Sequence, residues 1–513
     1  MFYWRQQLFD FHRTYFWEYR MSVEQPVASH RVTAVSTPSP SLPEGYARRR
    51  VMLPFVLVAM FMAQFDLYVV NVALPVLQHQ LTASNTQLEL FVGGYAFAYA
   101  AGLLTGGRLG DHFGHGRMFA LGMSLFGLAS LACGLAGGAG WLVAFRLIQG
   151  ATAAIMVPQV LALITAAFPP TERGKALSWF GVIMGVGAVA GQVLGGVLLQ
   201  VASGPNGWRV IFLINVPIAI ATVLLGRKNL PPAVRNPLAK LDLPGIGLLT
   251  ASLALILFPL VVGRTAGWPV WAWILLILSI PTLAAAMWWE KRVARRGRTP
   301  VLPLQLFTEP AFVLGLMLSV VLFSAFFSFV FSMSLVLQNG LGLNPLLAGL
   351  TFGPLGVAFA IGSIAARSFV AKYGAKVIIV GAILVAVSLL ALEILLSATS
   401  GKAAAWELAI PMAVVGLGNG IAVPAVIGQV LARIRPERAG AAAGILTTAQ
   451  QFSSALGIAV IGGLFFVSLG ERSASTAYEG ALSTTVAWAL ALVVLGLILG
   501  VFLDHVNKKA PQP

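Results

Sequence analysis

Charge is scarce in this sequence. Of 513 residues only 10% are Asp, Glu, Lys or Arg, where a soluble domain carries about 25%. So little charge cannot coat a water-facing surface, which excludes a soluble globular enzyme. Cysteine is scarcer still. One residue, Cys133, excludes a disulfide framework and any thiolate zinc or iron–sulfur centre. Catalytic signatures are missing too: no G-x-S-x-G elbow, Walker A loop, H-E-x-x-H helix or Cys/His metal spacing occurs. His12, His30, His79, His112, His115 and His505 all fall in tails or loops. No catalytic residue, metal site or cofactor is expected, and nucleotide hydrolysis by this chain is not expected to supply energy.

Apolar residues make up 58% of the chain and mean hydropathy is +0.87, which excludes intrinsic disorder. A membrane helix needs about 20 mostly apolar residues. Residues 118–145, 147–171, 176–208, 265–289, 408–432 and 439–470 contain no charged side chain, and 310–366 contains none across two span lengths. Splitting these runs at Gly, Pro and charge clusters predicts fourteen spans, near 51–77, 87–106, 118–136, 140–167, 176–201, 208–226, 243–262, 268–289, 310–338, 345–366, 377–398, 405–432, 440–467 and 482–503. With the N-terminus inside, 28 of the 33 Lys/Arg fall on inner segments and four (Arg209, Arg264, Lys402, Arg472) on outer ones. That partition predicts two cytoplasmic termini in a multi-pass cell-membrane protein. The net charge of +16 then reads as topology and contact with anionic lipid, not nucleic-acid binding. Nine aromatics crowd residues 2–19 without an apolar core, which fits an interfacial anchor or a translation start at Met21.

Pro169-Pro170-Thr171-Glu172-Arg173 has an echo at Pro436-Glu437-Arg438, and Pro158 one at Pro424. Offsets near 265 predict two repeated halves, a hallmark of secondary transporters. The expected plan is a tail (1–50), a six-helix bundle (51–226), a linker with two extra spans (227–308, spans 243–262 and 268–289), a second six-helix bundle (309–503) and a short tail (504–513).

Five motifs occur in order: Phe65-Asp66-Leu67-Tyr68-Val69-Val70-Asn71 in the first span, Gly107-Arg108-Leu109-Gly110-Asp111-His112-Phe113-Gly114-His115-Gly116-Arg117 after the second, Arg146-Leu147-Ile148-Gln149-Gly150 in the fourth, Gly187-Ala188-Val189-Ala190-Gly191-Gln192-Val193-Leu194-Gly195 in the fifth, and Trp208-Arg209 with Phe212-Leu213-Ile214-Asn215-Val216-Pro217 opening the sixth. On these residues the chain resembles the major facilitator superfamily, within it the fourteen-span drug:proton antiporters, from about residue 55 to 500. Gln192 stands where the family usually has Pro, and His112, His115 and Gly116 where it usually has arginine. The resemblance implies an all-α integral membrane fold of two six-helix bundles plus a central helical pair. It implies that Gly107, Asp111, Gly114 and Arg117 belong to a gating loop in which Asp111 latches the halves.

Asp66 is the informative residue. It sits about 22 Å into the first span at 1.5 Å per residue, where a carboxylate is costly and rarely faces lipid. Such a group can take a proton from one side, release it to the other, or pair with a cationic substrate. Arg146 overlaps it in depth and is expected to tune it. Gln64, Tyr68, Asn71, Tyr95, Gln149 and Gln192 are candidate cavity lining, or helix–helix hydrogen bonders. Gly187, Gly191 and Gly195 form one smooth helix face for close packing, expected at the interface between halves. Glu393 and Glu89 are expected to snorkel near the outer interface.

The expected function is proton-coupled export of a hydrophobic or cationic small molecule by alternating access. The proton gradient is the energy source, the other partners are lipids, and the monomer is the functional unit. Two alternatives stay open: export of an endogenous metabolite, lipid or siderophore, and a non-transporting membrane receptor or membrane-embedded enzyme.

Overall fold

In a computed structural model, residues 46–509 are described apart from 203, 232–241, 298–299, 400–402, 432, 435 and 473. The aromatic N-terminal segment, the Pro-rich stretch behind it and Lys402 lie outside the described residues. The described residues are helical, without a strand. Fourteen membrane-length elements follow one another: α1 Arg49–Leu81, α2 Asn85–Phe113, α3 His115–Gly134, α4 Ala139–Ala167, α5 Pro170–Val201, α6 Gly207–Gly226, α7 Leu243–Thr265, α8 Val270–Arg295, α9 Pro310–Gly340, α10 Pro345–Tyr373, α11 Lys376–Thr399, α12 Ala405–Leu431, α13 436–469 and α14 Ser475–Lys509. Thirteen are long and apolar enough to cross a membrane outright. The fourteenth, α2, does so as a pair of segments bent by 44° between Leu103 and Thr105. The adjacent Gly106–Gly107 pair accounts for that bend, because Gly weakens the helix locally.

Local chemistry sets the ends. Ser84 and Gln87 make a reciprocal capping box at α2. Asn344 caps α10 by accepting from the Leu347 amide at 2.8 Å, with Pro345 at the first helical position. Gly114 joins α2 to α3 at φ +96°, where a side chain would be strained.

The helix pairings repeat. In the first half α1 packs on α5, α2 on α4, and α3 on both α4 and α6. In the second half α9 packs on α13, α10 on α12, and α11 on both α12 and α14. The two halves meet along α5–α10 and α2–α13, while α7 lies against α8, α2 and α13. The α7 and α8 spans are the least enclosed, 28% and 17% buried, whereas α9 is 67% buried. Outward-facing residues such as Leu128, Leu135, Ile277 and Ile280 are exposed and apolar. In water such a surface would aggregate; in lipid it is the expected coat. Tyr46 of the α1 entry donates its amide to Ala167 O at the end of α4. Arg433, after α12, donates to the Asn507 carbonyl near the end of α14. The entry of α1 and the end of α14 lie on one face, called here the termini face.

Candidate functional site

The polar centre of the first half is built on Asp66, which is fully buried on α1. Arg146 of α4, also fully buried, donates Nη1 to Asp66 Oδ2. The same Nη1 reaches Gln149 Oε1 at 2.7 Å. Arg146 Nε donates to the Phe91 carbonyl of α2 at 2.9 Å. Asp66 Oδ1 accepts from Gln149 Nε2 at 2.8 Å and from Asn215 Nδ2 of α6 at 3.2 Å. Ser130 Oγ of α3 accepts from both amides, at 2.6 and 3.2 Å. The Arg146 guanidinium stands 4.3 Å from the Tyr95 ring centroid and 5.8 Å from that of Phe212, a cation–π cradle from α2 and α6. Five helices thus converge on one ion pair. Two members are left with spare capacity: Arg146 Nη2 and Asn215 Oδ1 are buried without a hydrogen-bond partner among the described residues.

Helix packing makes this convergence possible. A Cβ on Gly150 would stand 2.3 Å from Tyr95 O, and one on Gly106 would stand 1.9 Å from Ala154 O. Only glycine lets α2 and α4 approach closely enough for Arg146 to reach the α2 backbone.

The structure brings together four of the residues singled out from sequence: Asp66, Arg146, Gln149 and Tyr95. It encloses them within one half, so Asp66 faces its neighbours in α3, α4 and α6 and not the seam between halves. The others lie elsewhere. Gln64 and Tyr68 face α5, where Cβ atoms on Gly187 and Gly191 would come within 2.9 and 2.8 Å of their side chains. Tyr68 also meets Phe327 of α9, ring centroids 5.6 Å apart. Asn71 donates to Leu67 O, and its carbonyl accepts from Ser334 of α9. Gln192 is buried, and neither of its amide atoms has a hydrogen-bond partner among the described residues.

The glycine face of α5 packs on α1. A Cβ at Gly191 would lie 2.7 Å from Phe65 O, and one at Gly195 2.8 Å from Val69 Cγ2. The seam with α10 uses a different face: a Cβ at Gly196 would meet Pro345 O at 2.4 Å, and one at Gly349 would meet Gln192 O at 2.6 Å. At the end away from the termini face the halves are tied. Besides the Ser334 bond, Gln338 Nε2 donates to Val72 O at 2.8 Å and Asn339 Nδ2 to Gln78 Oε1 at 3.0 Å. That end is closed in this conformation.

The stretch expected as a loop is helical up to Phe113, with only Gly114 between α2 and α3; around that turn, Asp111 at the end of α2 lies 4.0 Å from Arg108 and 3.6 Å from His115 at the start of α3. His115 Nδ1 meets Gln159 Oε1 at 2.8 Å, and Gln159 Nε2 donates to Gly106 O at 2.7 Å. The turn is thereby tied to α4 of its own half. Gly110 leaves room for this arrangement, since a Cβ there would stand 2.0 Å from Gln159 Oε1 and would displace that side chain. Arg117 is exposed, while Gly107 has open space where its Cβ would be. Two carboxylates differ from expectation. Glu393 accepts from Ser483 of α14 instead of reaching for the interface, and Glu89 is buried to 1% exposure. Helix packing, absent from a sequence, supplies their surroundings.

Sequence reasoning missed Ser130, Asn215 and the Phe91 carbonyl. Asn215 belongs to a motif quoted above, but no spacing links it to Asp66. A buried amide in a span was the available signal.

The family model for the Major Facilitator Superfamily matches residues 56–245 and 245–458. The chain is 37% identical over 441 residues to the probable actinorhodin transporter of Streptomyces coelicolor, covering 86% of this chain and 76% of that one. It is 34% identical over 460 residues to a puromycin resistance protein of Streptomyces alboniger, covering 88% of each. Among solved structures, a bacterial homologue of the human lysosomal transporter Spinster, inward-facing and occupied, superposes with a TM-score of 0.67 at 15% identity. The match covers 91% of this chain and 99% of that one. That likeness concerns the fold alone. With its family match over most of the chain, its repeated helix pairings and its ordered motifs, this protein belongs to the major facilitator superfamily.

Proposed function

We propose that the protein is a proton-coupled exporter of hydrophobic or cationic small molecules, an antiporter working by alternating access between a first bundle (51–226) and a second (309–503), with 227–308 as linker. The observation that carries the reading is the fully buried Asp66–Arg146 pair, whose guanidinium also holds the α2 backbone. Relatives named for antibiotic transport and resistance support the substrate class.

The geometry suggests how coupling runs. A proton on Asp66 cancels the charge opposite Arg146. Arg146 then keeps its grip on Phe91 O with a changed balance of forces. Two residues further along α2, Gly93 faces Ala455 of α13 across the seam, a Cβ there lying 3.7 Å away. Protonation within the first half thereby biases how α2 sits against the second half. Substrate takes a separate place between the halves, beside Tyr68, Gln192 and the ring series Phe327, Phe323 and Phe326 of α9. Proton and substrate compete through the conformation each favours, a coupling free energy between sites. The termini face is cytoplasmic in this reading, the monomer is the functional unit, lipid is its solvent, and no cofactor or chemical step is involved.

The experiment uses inside-out membrane vesicles energised by respiration and a fluorescent lipophilic cation. The reading expects uptake that stops when a protonophore collapses the gradient. Uptake indifferent to the protonophore would remove proton coupling.

A further inference from the structure

The foot of the α7–α8 pair, on the termini face, holds two carboxylates that the mechanism above does not use. Asp242 precedes α7. Its Oδ1 accepts from the Gly245 amide at 3.2 Å and from Trp289 Nε1 at 2.8 Å. Glu290, near the end of α8, is fully buried, and its Oε2 accepts from the Leu302 amide at 3.2 Å. The remaining oxygens, Asp242 Oδ2 and Glu290 Oε1, are buried without a hydrogen-bond partner among the described residues. Both stand beside Gly245, where a Cβ would lie 2.5 Å from the first and 2.7 Å from the second, so they are at most about 5 Å apart. With glycine there, both oxygens can stay where they are.

Among the described residues no cationic side chain forms an ion pair with either carboxylate. Arg108 of α2 is engaged elsewhere: its Nη2 donates to Pro300 O at 2.9 Å and its Nη1 faces Asp111. His115 lies beyond Asp111. Lys291, Arg292 and Arg295 follow on the helix of Glu290 itself, with Arg292 over the Trp288 ring at 5.2 Å. Glu290 is fully buried and the free oxygen of half-buried Asp242 is buried beside it, so a negative charge on both is unfavourable: the desolvation of Glu290 adds to their mutual repulsion. One proton between them removes the repulsion and supplies the missing donor, as in carboxylate pairs that titrate as a unit.

We propose that Asp242 and Glu290 share one exchangeable proton and form a second proton-binding site, distinct from Asp66. Its place gives it a lever. Glu290 holds the chain at Leu302, and Arg108 holds the same stretch at Pro300, where it leads into α9. Loss of the shared proton pushes the capping residue of α7 away from α8 and loosens this strap between the α2–α3 turn and the second half. The proposal stands apart from substrate identity and from proton-coupled transport.

The test is infrared titration of the purified full-length protein, reading the C=O band of protonated carboxylic acid. The expected result is a titrating band that disappears in Glu290→Gln, and that disappears or shifts its midpoint by about one pH unit or more in Asp242→Asn. It should persist in Asp66→Asn. A band unchanged in either pair variant overturns the proposal. Wild-type protein provides an arm independent of variant folding. Dicyclohexylcarbodiimide should label one member of the pair per molecule, less as pH rises; equal labelling at every pH, or none, overturns it.

Discussion

Asp66 and Arg146 stand or fall together. Removing one partner of a buried ion pair leaves the other charge uncompensated and costs about 3–5 kcal/mol, whereas replacing both often costs little. Asp66→Asn and Arg146→Gln should each lower the thermal midpoint clearly, and the double variant should recover most of that loss. Differential scanning fluorimetry in detergent checks this; strictly additive losses would show that the two do not act as a unit. A second pair is only half-buried and behaves differently. Arg49 donates Nε and Nη2 to Glu172 at 3.0 and 3.1 Å, and this bonding holds the Glu172 carboxyl below the ordinary glutamate range. A lowered carboxyl contributes stability above its unfolded-state pKa and loses it as pH falls through the folded value. Glu172→Gln should therefore narrow the gap in melting temperature between neutral and acidic buffer, by a small margin since solvent reaches and screens the half-buried pair. An unchanged gap would show the tie to be inert.

The two glycine faces of α5 predict opposite kinds of failure. At Gly191 a branched side chain would strike the backbone of α1 at Phe65, next to Asp66. Overpacking of this kind costs about 1–3 kcal/mol, so Gly191→Leu should lower stability in every conformation. At Gly349 the clash falls across the seam, on Gln192 O. Gly349→Leu should favour the conformation in which α5 and α10 part at that end, and about 1.4 kcal/mol shifts such an equilibrium tenfold. Accessibility of a cysteine placed near Asn71, in a Cys133→Ser background, should rise from the face opposite the termini in Gly349→Leu and stay unchanged in Gly191→Leu. The reverse pattern would exchange the roles of the two faces. The sequence made the spans, their number and the glycine periodicity legible, because each is a local property of hydropathy or side-chain size. Which helix a glycine face meets is not local. Gly191 and Gly196 read alike in sequence, yet one meets α1 and the other α10. For the same reason Asp66 was identifiable as costly, but the amides of Gln149 and Asn215 that satisfy it were not.

For the whole molecule, the described ends of the chain share one face, and the positive-inside count predicts that this face is cytoplasmic. Reporter fusions after residue 295 should report inside and fusions after residue 475 outside; exchange of the two signals would invert the orientation and turn export into import. The closure seen between α1 and α9, far from the termini face, then belongs to a conformation shut toward the outside. Alternating access requires the opposite closure as well, and in the proposed mechanism the Asp66 proton selects between them. The most direct measurement uses proteoliposomes of defined orientation carrying a cationic dye and an imposed pH gradient. Wild-type protein should drive the dye above its equilibrium concentration. The Asp66→Asn/Arg146→Gln double variant, folded by the criterion above, should only let it equilibrate. Accumulation by the double variant equal to wild type would contradict the account.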